Sequence, residues 1–155
     1  MHQDVESNAE KISIREVHTP EALEQAFQIR AVVFVEEQGI PLELDRDGRD
    51  EEAWHILALD GAAPVATGRL LPKGPRAGKI ERIAVLPSHR GRGLGRCIVE
   101  GLEALAQKHG MRTISLEAHQ FLEAFYHNLG YQTMPGTVMV GAYRLIKMAK
   151  VYELV

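Results

Sequence analysis

Between Ile80 and Arg96 the chain reads IERIAVLPSHRGRGLGR, and this stretch limits the available folds more than any other. A β-branched run, Ile83-Ala84-Val85, meets a turn marked by Pro87 and Ser88. The turn then passes through Arg90-Gly91-Arg92-Gly93-Leu94-Gly95-Arg96 into a helix. That helix has the clearest period in the chain. Leu94, Cys97, Ile98, Gly101, Leu102 and Leu105 follow i, i+3, i+4 spacing, while Arg96, Glu100, Glu103 and Lys108 face outwards. Gly110 suits the C′ position, and Thr113–Leu116 reads as the following strand. Strand, helix, strand in this order predicts a parallel-type crossover.

The loop itself has a chemical meaning. Alternate glycines remove Cβ atoms that hold a ligand away from the backbone, and they permit positive φ. Unpaired N–H groups in the first turn of a helix, at the positive end of its dipole, attract anions. Arg90, Arg92 and Arg96 add forked donors matched to phosphate oxygens. Together these predict a cradle for a pyrophosphate. A dinucleotide fingerprint needs a third glycine where Arg96 stands, and a P-loop needs Gly-Lys-Ser/Thr, which is absent. A dinucleotide-binding protein is therefore the weaker rival.

The rest of the chain fits one domain built around this crossover, spanning 11–155 behind a polar tail at 1–10 that is expected to be disordered. Ile12, Ile14 and Val17 alternate with polar residues as in a half-buried strand. Thr19-Pro20 reads as an N-cap with proline in the first turn, and Leu23, Ala26, Phe27, Arg30, Val33 and Phe34 follow at helical spacing until Gly39 and Pro41. Residues 43–52 hold six acids and two arginines and read as a solvated loop. Trp54–Asp60 and Val65–Leu71 are strands joined across Asp60-Gly61. A short helix closes at Gly130, and strands around Tyr131–Thr133 and Val138–Met148 finish the chain. The order β-α-β-β-β-α-β-α-β-β gives an α+β, mixed-sheet class.

Composition narrows the partners. A net charge of −3 gives no reason to expect nucleic acid or an anionic membrane, and basic residues interleaved with aromatics are lacking. No apolar run reaches membrane-spanning length, and the lone Cys97 suits a reducing cytoplasm. The seven histidines show no metal-ligand spacing, so no metal is expected.

The segment Arg90-Gly91-Arg92-Gly93-Leu94-Gly95 matches the pattern [Q/R]-x-x-G-x-G and resembles the acetyl-CoA signature of the GCN5-related N-acetyltransferases. Phe125-Tyr126-His127-Asn128-Leu129-Gly130-Tyr131 is similar to a later part of that family's pattern, and the likeness runs from the first strand to Met148. Val33-Phe34-Val35-Glu36-Glu37-Gln38, Leu44-Asp45 and His55 resemble a bacterial, ElaA-like branch, although Tyr143-Arg144-Leu145-Ile146 replaces that branch's usual Ile-Pro-His. The resemblance implies the acyl-CoA N-acyltransferase fold, a central, mostly antiparallel sheet with flanking helices.

It also implies chemistry. Coenzyme A would own the pyrophosphate bound by Arg90, Gly91, Arg92, Gly93, Leu94, Gly95 and Arg96. Its pantetheine arm would run along the main chain of Ile83, Ala84 and Val85, with a backbone N–H, that of Val85, polarising the acetyl carbonyl. The family position makes Tyr126 the acid that protonates the departing sulfur, although its spacing with Leu122 and Phe125 equally suits a core aromatic. An ordinary phenol pKa of about 10 lies only a unit or two above a thiol's. His119 stands where the family more often has Asn or Gln on the cofactor. Glu81, two residues before Ile83, is expected on the same strand face, there to take the amine proton or bind an ammonium, or else to pair with Lys79 or Arg82. Glu37, Asp45 and His55 compete for the base role. Cys97 reads as core rather than nucleophile. The acceptor expected is a small amine attacking acetyl-CoA directly. Homodimers are common in such a family, with the C-terminal strands offering a contact. The rival of another class is a non-catalytic acyl-CoA-binding module on the same fold.

Overall fold

The computed structural model describes residues 11–152, so the tail expected at 1–10 lies outside the described residues. Seven strands form one sheet: β1 (Ile12–Glu16), β2 (Trp54–Asp60), β3 (Ala63–Pro72), β4 (Ala77–Val85), β5 (Thr113–His119), β6 (Gln132–Val140) and β7 (Tyr143–Val151). Their spatial order is β1-β2-β3-β4-β5-β7-β6. Every neighbouring pair is antiparallel except β4 and β5, which run parallel because helix α3 (Leu94–Lys108) links them. The remaining helices are α1 (Pro20–Arg30), α2 (Leu42–Asp45) and α4 (Glu123–Asn128). The α+β class and the fold expected from the sequence are both present.

Helices cover the two faces of the sheet. On one face Ile98, Leu102, Leu105 and Ala106 of α3 pack against Ile56, Leu70, Ile80 and Ile114 of the strands. The stripe differs slightly from the expected one: Val99 and Ala106 are fully buried, whereas Cys97 sits half-buried at its flank. The helix approaches β3 so closely that a Cβ on Gly68 would stand 2.6 Å from Ile98 Cγ2 and 2.9 Å from Leu102 Cδ1. On the opposite face Ala26, Ile29 and Val33 pack against Leu57 and Ala84.

Thr19 caps α1 as expected, its Oγ1 accepting the N–H of Ala22 at 3.1 Å. After Arg30 the helix widens into a π-helical segment, Ala31–Glu37, instead of continuing with α spacing. Val32, Val33 and Val35 crowd the preceding turn in an ordinary helix, which favours departure from it here. The widened turn aims Val33, Phe34 and Glu37 into a cleft beside the sheet.

That cleft originates in the register of β4. The strand pairs with β5 only from Ala77↔Thr113 to Ile80↔Leu116. Beyond Ile80 it stays with β3, while β5 stays with β7 as far as His119↔Leu145. Two neighbouring strands thus separate, and the second half of β4 has an open edge.

Candidate active site

A bulge shapes this edge. Thr67 faces Ala84 and Arg69 faces Glu81, so Gly68 alone stands opposite both Arg82 and Ile83. Arg82 takes the strain of the extra residue, with φ +58 in the left-handed region. Its guanidinium is held by the carbonyls of Leu44 (3.1 Å) and Asp45 (3.3 Å) and by the carboxylates of Asp45 and Asp47, both at 3.3 Å. The extra residue inverts the alternation expected from the sequence. Ile83 packs with Ile98 and Leu102 in the α3 core, and Glu81 lies on the other face beside Arg69. Glu81 and Ile83 therefore do not share a face, although both line the cleft.

The cleft encloses about 560 Å³. Ile83, Ala84, Val85, His119, Glu81 and Tyr126 all line it, so most of the expected site residues converge. Leu86 donates its N–H to Val65 of β3 at 2.9 Å, and by strand alternation the N–H and carbonyl of Val85 turn the other way, to the open edge. The Val85 carbonyl indeed accepts a side-chain bond from Arg90 Nε at 3.1 Å.

Tyr126 is buried and lines the cleft. Burial alone pushes its pKa up to about 12. The phenol therefore stands about three and a half pKa units above a free thiol, a wider gap than an ordinary tyrosine gives. His119 stacks on Phe121 at 5.4 Å and meets Tyr143 edge-on at 5.1 Å.

Arg90 lines the cleft, and the rest of the glycine loop, from Gly91 onwards, lies beyond the lining at the start of α3. Gly91 and Gly93 have φ of +80 and +78, with nothing within 4 Å of a built Cβ. Their requirement is the left-handed turn, and the space around them is open to a ligand. Gly93 is the N-cap of α3, and the N–H of Cys97 returns to its carbonyl at 3.1 Å, leaving the N–H groups of Leu94, Gly95 and Arg96 ahead of the helical ladder. Leu94 itself is buried in the core, so only its backbone faces the loop. Arg92 is exposed, and Arg96 is exposed beside Glu100 at 3.3 Å. Arg90 differs from expectation. Its guanidinium grips Glu37 through two bonds, at 2.9 and 2.5 Å, and so ties the loop to the π-helical segment.

The loop at 43–52 is exposed at eight of its ten residues, as expected, but Asp45 and Asp50 turn inwards and anchor a buried ion network. Arg30, only 1% exposed, binds Asp45 at 3.2 Å and Asp50 at 2.6 Å. Arg69, 0% exposed, binds Asp50 at 2.9 Å, Asp47 at 2.7 Å and Glu81 at 2.8 Å. Those buried guanidinium groups require carboxylates, which draw the acidic loop inwards. Arg30 sits among apolar-face positions of α1, and that was the sequence signal for a buried partner. Burial pushes Glu81 up, but the charges of Arg69 and Lys79 outweigh it and hold its carboxyl below the usual range. Burial likewise acts against the charge on Asp50, and the bonds from Arg30 and Arg69 override it and hold its pKa down. The competing bases fare differently. His55 is buried with Nε2 donating to the Asp50 carbonyl at 2.8 Å, outside the cleft lining, and burial pushes its pKa down. Asp45 is committed to Arg30, and Glu37 to Arg90. Among the described residues, no group of three or more His, Cys, Asp and Glu is placed to hold a metal ion.

Residues 19–131 match the sequence model of the Acetyltransferase (GNAT) family. A Bacillus subtilis protein named as an acetyltransferase is 35% identical over 142 residues, covering 90% of this chain and 96% of that protein. The N-acetyltransferase YjcF of the same organism is 40% identical over 114 residues, 74% of this chain and 81% of its own length. The crystal structure of Escherichia coli ElaA superposes with a TM-score of 0.79 at 26% identity, covering 90% of this chain and 99% of that one.

Proposed function

We propose, for a chain that belongs to the GNAT acetyltransferase family, that it moves the acetyl group of acetyl-CoA to the primary amine of a small molecule by direct attack in a ternary complex. The observation that carries this reading is the open edge of β4. It presents backbone groups without a strand partner beside a buried tyrosine, one turn away from the left-handed glycine loop that heads α3. A thioester arm can pair with the edge like an added strand, and a diphosphate can take the helix N–H groups. Arg92 and Arg96 lie exposed to reinforce that anion site, and Arg90 contributes through its backbone while its side chain holds Glu37.

The residues then divide the work. The amine nitrogen attacks the thioester carbon, and the N–H of Val85 meets the charge that forms on oxygen. As the C–S bond breaks, Tyr126 hydrogen-bonds the sulfur and gives it a proton, which the proton shed by nitrogen replaces. The high pKa of Tyr126 keeps it protonated until sulfur carries charge. Glu81 stays ionised, which suits attraction of the ammonium better than uptake of its proton. His119 contacts the cofactor arm from β5. The lining holds no cysteine, serine or threonine, which supports attack without an acyl-enzyme. We assign the protein to a reducing cytoplasm from its single cysteine. The exposed edge strand β6 is the surface available to the expected homodimer.

The test is thiol release from acetyl-CoA across a panel of primary amines, run beside calorimetry with acetyl-CoA and NAD. Amine-dependent thiol release supports the reading. Tight acetyl-CoA binding with no release for any amine reduces the protein to a binding module, and a response to NAD alone overturns both.

A further inference from the structure

The cleft has two flanks of unlike chemistry. One carries the groups assigned above to the acyl donor, Ile83 to Val85 and Tyr126. The other is made of Phe34 and Ile40 beyond α1, Leu44 of the acidic loop, Phe121 after β5, and Val140 and Leu145 of the last hairpin. These six side chains are apolar, and Gln38, His119 and Tyr143 stand among them. Phe121 is 80% exposed and Leu44 47% exposed, so apolar surface stands uncovered at the rim. Gln38 carries a neutral amide among its neighbours, and its main-chain carbonyl accepts the Tyr143 hydroxyl at 3.0 Å. That bond, with the Arg90–Glu37 pair, joins opposite walls and bounds the space to a small molecule.

The charges of the cleft stand in ion pairs, and one cluster of them surrounds Lys79. Glu81 and Glu117 share Lys79, at 3.3 and 3.0 Å, two carboxylates around one ammonium. Arg69 also binds Glu81, on Oε1, but Arg69 is itself divided among Asp47, Asp50 and Glu81. The other acids of the lining are committed: Asp45 to Arg30 and Arg82, Glu37 to Arg90. Glu81 also feels Arg82, whereas Glu117 has Lys79 alone as its ion-pair partner among the described residues, so the corner has room for one further positive charge at Glu117.

We infer that the acceptor is a primary amine bearing a single positive charge on an apolar or aromatic body, its ammonium at the Glu81–Glu117 corner and its body against Phe34, Leu44 and Phe121. This rests on the acetyltransferase reading and narrows it. A polyamine brings further charges that meet carbon, and an amino sugar brings hydroxyls that find few partners, each a desolvation cost without return. Every methylene of a linear alkylamine, in contrast, covers more of the flank, at about fourfold in affinity for each one buried.

The experiment compares propylamine, butylamine, hexylamine and phenethylamine with spermidine and glucosamine. It reads kcat/KM by thiol release at saturating acetyl-CoA, and Kd for the same amines on the CoA complex. The expected result is a kcat/KM rising two- to fourfold per methylene, with spermidine and glucosamine at least tenfold below hexylamine. Phe34→Ser flattens the chain-length slope and leaves the acetyl-CoA Kd unchanged. A flat series, or a preference for spermidine or glucosamine, overturns the inference. If no amine is turned over, the acetyltransferase reading fails by itself. The Kd series then decides the site: the same rank order upholds it, and equal or undetectable binding of all six amines refutes it.

Discussion

Replacing Arg69 with Met tests the buried network where it matters most. Arg69 is fully enclosed and holds three carboxylates, Asp47, Asp50 and Glu81, at 2.7, 2.9 and 2.8 Å. Methionine fills much of the volume but leaves those acids without their shared cation. Breaking a buried pair in this way costs about 3–5 kcal/mol. For a domain of this size each kcal/mol lowers Tm by roughly 2–4 °C, so the melt at pH 7 should fall by about 6–20 °C. The loss should depend on pH, and its sign follows from the direction of the shifts. The pKa values of Asp50 and Glu81 are depressed in the folded protein, so their stabilisation is present above the unfolded-state pKa and is lost as pH falls through the folded one. In Arg69→Met the same acids, left with Arg30 and Lys79 as their remaining cations, take up protons at higher pH and relieve part of the penalty. Calorimetric melts from pH 7.5 down to 4.5 should therefore show the gap between wild type and variant closing towards acid. A drop below about 3 °C at pH 7, or a gap that ignores pH, would refute the idea that this network holds the acidic loop in place.

Other outcomes follow from the site. Tyr126→Phe should lower kcat by roughly 10- to 1000-fold while leaving the acetyl-CoA Kd within about twofold, because the hydroxyl acts on the leaving sulfur alone; an unchanged kcat removes it from the mechanism. Gly93→Ala meets no atoms but must hold φ near +78, so it should cost about 1–2 kcal/mol in a urea melt and weaken acetyl-CoA binding, with Gly93→Asn milder on both counts. Because the Glu81 carboxyl is held below its usual range, kcat/KM should climb with pH as the amine itself deprotonates, without an enzyme ionisation between about 6 and 7. A clear limb in that interval would point to another base, and His119→Gln would show whether it is that histidine. Leu102→Ala, at a fully buried position where α3 crosses Gly68, should cost about 3–5 kcal/mol with m-value unchanged.

Local chemistry is what the sequence alone determined. Thr19-Pro20 had to cap a helix, Gly91 and Gly93 had to turn left-handed before α3, and the spacing of Leu94, Ile98, Leu102 and Leu105 had to bury one helix face. Each of these depends on neighbours within a few residues, and so did the parallel crossover, since a helix of that length between two strands leaves the second strand few other directions. Tertiary structure decided whatever depends on residues far apart in the chain. The place of Glu81 turned on one inserted residue at Arg82, whose left-handed φ is sustained by acids some 35 to 37 positions earlier. The acidic run at 43–52 looked solvated because charges ordinarily prefer water. The burial of Asp45 and Asp50 within it follows from Arg30 and Arg69, brought beneath them by a helix on one side and a strand on the other. The glycine loop could be read as a donor site because backbone geometry is written locally. The apolar flank of the cleft, from Phe34 to Leu145, is gathered from four separated stretches of chain, and no spacing in the sequence announces it.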